Sequence, residues 1–214
     1  MAGAWWAWLA ALALYGVFRL WYDNLRGPLS KAEIDAFMAE AARMKIHEYS
    51  DPAVVRAFLE ADDGKEFVMS NLVRVHPGEV PHPVTGAPTQ GLALFQAYAR
   101  RFVNLLLRHG GHPIMAMRKV GGYVDAWNTS PDPGWHVVGA MRYRSRRDMM
   151  ALVLNPALGD VHALKTAGTA VTFSFPTQVI VSLALQPRAW VALVLALVAA
   201  LVHLASVLAL VSVP

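Results

Sequence analysis

Residues 135–150 read WHVVGAMRYRSRRDMM, and within this run the pattern changes from strand to helix. Trp135 to Tyr143 is rich in the β-branched and aromatic residues of a strand. Ser145-Arg146-Arg147-Asp148 then resembles a capping box and opens a helix. That helix breaks at Asn155-Pro156 and resumes to about Thr166. Working backward, the turn-rich GGYVDAWNTSPDPG (121–134) links this strand to an earlier one, HPIMAMRKV (112–120). Before that, Leu92, Phe95, Tyr98, Ala99, Phe102, Leu105 and Leu106 mark one face of a long helix that stops at Gly110-Gly111. A Pro/Gly-rich loop, HPGEVPHPVTGAP, separates this helix from the apolar strand-length run FVMSNLVRV (67–75). Forward of the helices, Val171 to Phe175 reads as a last strand ending at Pro176. The order is β-α-β-β-α-β, the split βαβ arrangement, in which helices cover one face of a four-stranded sheet.

Upstream of this α+β core, Ser30-Lys31-Ala32-Glu33 fits a capping box, with Ile34, Phe37, Met38, Ala41 and Met44 at helical spacing to about Lys45. Asp51-Pro52 supplies an N-cap and first-turn proline for a short helix to about Asp62. The termini differ in kind. Ala189 to Val213, AWVALVLALVAALVHLASVLALVSV, is an apolar run of about 25 residues, enough to exceed a ~30 Å hydrocarbon core. Ala4 to Leu20 is a second run of about one bilayer thickness, with Trp5, Trp6 and Trp8 as interfacial anchors. Because Met1 to Ala4 lacks Lys and Arg, this reads as a retained anchor rather than a signal peptide. The expected division is an N-terminal anchor over 1–26, a helical juxtamembrane linker over 27–64, the α+β domain over 65–178 and a C-terminal span over 179–214. Arg19, Arg26, Lys31 and Arg188 all flank the spans on the domain side. The positive-inside rule therefore puts the domain in the cytoplasm and both termini across the membrane, the inner membrane if the source is bacterial.

Composition agrees. Of 214 residues, 56% are hydrophobic and 16% charged, too apolar for an ordinary soluble domain. A net charge of +4 and a pI near 9.6 suit retention near anionic headgroups, and without a recognised binding motif they do not point to nucleic acid. The chain has no cysteine, which excludes disulfides, thiolate metal sites and a cysteine nucleophile.

The strand FVMSNLVRV, the helix end LLLRHGGHPIMAMRKVGG, the run WHVVGAMRYRSRRDMM and the stretch NPALGDVHALKTAGTAVTFSFPTQ together resemble the dimeric α/β-barrel superfamily, with its ferredoxin-like fold, over roughly residues 65–178. The likeness is to a branch of small proteins of unknown function. It implies a homodimer formed sheet to sheet. The superfamily's haem-degrading monooxygenases carry an asparagine in the first strand and a histidine in the last helix, matched here by Asn71 and His162. Their tryptophan about ten residues before the histidine is replaced by Leu152. That resemblance supplies the enzymatic alternative: a membrane-tethered oxygenase or binder of haem or quinone.

Other candidates follow from the residues themselves. Arg142, Arg144, Arg146 and Arg147 form the densest cationic cluster, expected to meet lipid headgroups or an acidic partner. His76, His82, His109 and His112 lie in or beside loops without an accompanying carboxylate cluster, so they read as solvated histidines rather than metal ligands. Asp62, Asp63 and Asp132 read as solvated turn residues. Trp127 and Trp135 flank the 121–134 loop, where they pack on the loop itself or on a pigment, lipid or subunit. His203 is the one ionisable residue in the tail; intramembrane imidazole either hydrogen-bonds between helices or ligates a cofactor such as haem or a chlorophyll-type pigment. Ala199, four residues earlier, gives the small-xxx-His spacing that resembles light-harvesting helices. Ala192, Ala196 and Ala199 form a small-residue face suited to another subunit's helix. The expected function is a non-catalytic accessory subunit of a larger membrane complex, respiratory or photosynthetic, bound to the bilayer and to other subunits.

Overall fold

In a computed structural model, residues 4–45, 50–182 and 186–211 are described. They form two compact units, one of residues 1–25 with 180–214 and one of residues 26–179.

The larger unit is mixed α and β. It begins with α2 (Lys31–Arg43), whose capping box is formed: Ser30 Oγ accepts from the Glu33 N–H, and the Ser30 N–H donates to the Glu33 carboxylate. Helix α3 (Pro52–Glu60) starts on Asp51, which accepts from the Ala53 N–H. Next come β1 (Phe67–Val75), β2 (Glu79–Pro81), β3 (Pro88–Gln90) and α4 (Gly91–Arg108), then β4 (His112–Arg118), β5 (Val137–Tyr143), α5 (Arg146–Val153), α6 (Pro156–Gly168) and β6 (Thr169–Thr177). The main sheet runs β4-β5-β1-β6 and is antiparallel throughout. With β2 and β3 set aside, the chain order is the one expected from the sequence. The small hairpin of β2 and β3 was expected as plain loop. Its prolines and short reach hide a strand signal that only cross-strand pairing reveals.

Register divides the sheet into two faces. Phe67 lies opposite Tyr143, Met69 opposite Met141 and Asn71 opposite Gly139, and these point to the helices. Phe67, Leu106, Tyr143, Met150 and Leu152 form the buried core there, joined by Ile34 of α2 and Leu59 of α3. Residues 27–64, expected as a linker, are therefore part of the domain. Their amphipathic helices bury apolar stripes that a tether would leave in water.

The smaller unit holds α1 (Trp5–Tyr22) and α7 (Pro187–Val211). Ala4, Ala7 and Ala199 are buried together, with Ala11 and Val202 against them. Asp23 follows α1 and bonds Arg188 at the start of α7, while Trp5 meets His203 far along α7, so the two helices are antiparallel. Among the described residues one helix, α7 over Pro187–Ala209, is long and apolar enough to cross a membrane. The two terminal spans expected from the sequence are therefore met by one. Helix α1 has 18 residues, and its tryptophans, tyrosines and Arg19 dilute its apolar character.

Candidate functional site

Between α4 and the sheet lies a cavity of about 110 Å³. Its origin is the coincidence of small residues. Ala116, Gly139 and Asn71 form one row across β4, β5 and β1, and Ala99 faces them from α4. Phe95, Tyr98 and Phe102 of α4 form the aromatic wall. Asn71 stands on a central strand with its amide committed: Nδ2 donates to the Met69 carbonyl at 2.9 Å, and Oδ1 accepts from Ser174 Oγ at 2.6 Å. The cation in the lining is Lys165 of α6, not His162.

Lys165 reaches the cavity because α6 and α4 come unusually close. A Cβ at Gly168 would lie 2.9 Å from both the Gly91 carbonyl oxygen and the Phe95 nitrogen, so only glycine permits the approach. The Lys165 ammonium sits 5.8 Å from the centre of the Tyr98 ring. Burial lowers the pKa of Lys165 and raises that of Tyr98, the second with a smaller contribution from Tyr143. His162, one turn earlier, is part-buried, and its pKa is lowered by burial and then by Lys165. Neither Lys165 nor Tyr98 stood out in the sequence as a site residue. The available signal was a lysine at helical spacing from Val161 and Leu164, both of which are buried. Leu152, at the position of the oxygenases' tryptophan, is fully buried in the core.

A wider apolar hollow, about 590 Å³, opens between α2, α3, α5 and β6, lined in part by Met38, Met69, Met149 and Met150. Thioether side chains make such a wall adaptable.

The arginine cluster is committed within the domain. Arg142, 5% exposed, pairs with Glu66 at 2.5 Å. Arg144 makes a two-pronged contact with Asp148. Arg146 donates to the Phe58 carbonyl, lies 4.4 Å from the Phe58 ring centre and pairs with Asp62 at 3.4 Å. Arg147 pairs with Glu33 at 2.8 Å. Hydrogen bonds from Arg147 and from the Ser30 N–H hold the Glu33 carboxyl down at about 2. Asp62, expected in solvent, has a side chain only 2% exposed and accepts from the Leu29 and Gly64 N–H groups. Sequence spacing put these arginines on one surface; the long-range partners that bury them, Phe58 and Asp62 above all, come from α3 and the turn after it.

The histidines have local roles. His82 Nδ1 accepts from the Val84 and Thr85 N–H groups and closes the turn between β2 and β3. His109 hydrogen-bonds the Leu105 carbonyl at the end of α4. Burial, then Arg142, lowers the pKa of His112. Among the described residues no three acidic or histidine side chains gather at one point. In the 121–134 loop, Trp135 donates to Tyr123 Oη at 3.0 Å and meets Phe173 edge to face, while Trp127 is 78% exposed. Asp132 pairs with Lys119 and accepts from the Gly134 N–H.

The sheet face away from the helices is apolar. Met117, Val138, Leu72 and Phe173 form one row across all four strands, and Met115, Ala140, Ser70 and Phe175 the next. With Val171, the edge-strand members Met115, Met117, Phe173 and Phe175 stay between 39% and 49% exposed.

In the helix pair, Ala199 and Val202 of α7 meet Ala7 and Ala11 of the chain's own α1. His203 packs edge to face on Trp5 at 5.3 Å, with a buried Nδ1 that has no hydrogen-bond partner. Asp23 takes Arg19 on one oxygen and Arg188 on the other.

These features define a class: an α+β domain with an open four-stranded antiparallel sheet, carried on a chain that also holds an apolar helix of membrane-spanning length. Two crystal structures are similar to this chain over part of its length. One is of the RPA0582 protein, of unknown function, from Rhodopseudomonas palustris, with a TM-score of 0.51 and 20% identity over 61% of this chain and 94% of that one. The other is of methylated RPA0582 protein, with a TM-score of 0.50 and 20% identity over 63% and 92% of the two chains. The likeness is one of fold. No family model matches the sequence, and no curated protein matches it.

Proposed function

We propose that the protein is a non-catalytic accessory subunit of a larger membrane complex, with its α+β domain docking on a partner subunit through the open sheet face. The observation that carries this reading is the pair of apolar rows ending in Met117, Phe173, Met115 and Phe175. A contiguous apolar patch on a folded domain marks a contact surface, because leaving it in water forgoes about 25 cal/mol for each Å². Both α1 and α7 cross the bilayer in this proposal. At 18 residues and about 1.5 Å per residue, α1 comes near the ~30 Å hydrocarbon core. Arg19, Asp23 and Arg188 then mark the cytoplasmic end, the side of the domain by the positive-inside rule. Trp5 and Trp6, 65% and 66% exposed, belong to the opposite interface. The outer sides of both helices, Leu12 and Leu197 among them, are left for lipid or neighbouring helices.

The strand order also supports membership of the dimeric α/β-barrel superfamily, in which the same face would meet a second copy. One experiment separates these partners. The protein, extracted from native membranes in mild detergent, is expected to migrate with a larger assembly, and Phe173→Asp is expected to release it. Migration of the wild type alone ends the proposal, and migration as a pair of identical chains replaces it with the homodimer.

A further inference from the structure

We infer that the cavity between α4, α6 and the sheet is a binding site for a small monocarboxylate with an apolar body, held by the ammonium of Lys165. The inference is independent of the docking proposal, since the sheet separates this cavity from the open face. Three observations meet here. The walls are apolar and aromatic, from Phe95, Tyr98 and Phe102 on one side and Val73 and Val137 on the other. A single side-chain cation, Lys165, lines the space, accompanied among the lining residues by no carboxylate. Its ammonium has no hydrogen bond or ion pair among the described residues, and burial lowers its pKa.

A part-buried amine without a counter-ion is a standing cost to the fold, because moving a charge from water to an apolar site is unfavourable unless it is paired. Core lysines are rare for that reason. An entering carboxylate supplies the missing countercharge and a charge-assisted hydrogen bond, while its body takes the apolar walls. Asn71 has Oδ1 engaged by Ser174 and one Nδ2 N–H by the Met69 carbonyl, which leaves at most its second N–H for the ligand. Tyr98 offers a ring face beside the ammonium and stays protonated, since burial raises its pKa. His162, the other basic group near Lys165, adds to the positive field when protonated and so favours the same sign of ligand.

Size restricts the ligand further. A cavity of about 150 Å³ accommodates benzene, so the smaller 110 Å³ here favours the branched apolar body of a short-chain acid over an aromatic ring. Long-chain fatty acids are too large to be enclosed.

The test is calorimetric titration of the full-length protein in detergent with isobutyrate and isovalerate, each beside its neutral amide. The acids are expected to bind at least tenfold more tightly than the amides. Lys165→Met keeps most of the side chain's length and removes its charge; it is expected to erase that difference while leaving the thermal midpoint unchanged or higher. Lys165→Arg is expected to retain part of it. Ala99→Leu, which fills the cavity without touching the cation, is expected to abolish binding of both forms. Equal binding of acids and amides by the wild type would overturn the inference. So would acid selectivity that survives in Lys165→Met, or tight binding that survives in Ala99→Leu.

Discussion

Replacing Arg146 with methionine tests whether the arginine cluster is internal structure or an outward-facing surface. In the wild type the guanidinium donates to the Phe58 carbonyl, stacks on the Phe58 ring and pairs with Asp62. The two side chains are 11% and 2% exposed, so removing one charge strands the other in the interior. Breaking a buried pair in this way costs about 3–5 kcal/mol. The lower end applies, because Asp62 keeps two backbone donors, Leu29 N–H at 2.8 Å and Gly64 N–H at 3.1 Å, and methionine preserves part of the packing. A loss of about 3 kcal/mol lowers the thermal midpoint by about 6–12 °C for a chain of this size. The assay is thermal unfolding of the full-length protein in mild detergent, followed by circular dichroism, with Arg146→Met, Asp62→Asn and the double variant. The double variant is expected to be more stable than the sum of the single losses, by about 1–2 kcal/mol, because it leaves no orphaned charge. A single-variant loss below about 1 kcal/mol, or strict additivity, would refute the reasoning. Binding to anionic vesicles is expected to be the same for Arg146→Met and the wild type, since the side chain is not offered to lipid.

Glu33 supplies a pH test. Its carboxyl titrates at about 2 in the folded chain, against an ordinary 4.5; a folded pKa below the unfolded one means stability present above about pH 4.5 and lost as pH falls toward 2. With a side chain 26% exposed, solvent screening holds this to about 1 kcal/mol, and thermal midpoints of Glu33→Gln across that window should fall less steeply than those of the wild type, the remaining slope coming from other lowered carboxyls such as Asp63 and Asp132. Gly111→Ala is expected to destabilise by about 1–3 kcal/mol in the same melting assay, as its Cβ would lie 2.7 Å from the Arg142 carbonyl oxygen and 2.3 Å from Leu106 Cδ1. Because the chain lacks cysteine, Ala7→Cys with Ala199→Cys should form an intramolecular disulfide on oxidation, visible as a mobility shift. Absence of that crosslink would contradict the α1 and α7 packing.

Local rules were enough for most of the scaffold. The capping boxes at Ser30 and Ser145, the Asp51-Pro52 and Asn155-Pro156 helix starts, and the apolar runs of β1, β5 and α7 are signals carried by neighbours in sequence. They yield the α+β class and the β-α-β-β-α-β order without tertiary information. The division into linker and domain was not legible, because the stripe of α2 and α3 that suggested a juxtamembrane helix is equally suited to packing on β1 and α5. Nor could spacing tell which arginines face outward: the partners of Arg142 and Arg146 lie about 80 residues away in sequence, beyond any local pattern. Asn71 was visible as a strand asparagine, but its engagement with Ser174 depends on β6 pairing beside β1. Lys165 shows the limit most clearly. In the sequence it is one more lysine in a helix. It becomes a lone cation in an apolar cavity only when Gly168 lets α6 close on α4 and the small residues Ala99, Ala116 and Gly139 meet from three separate elements.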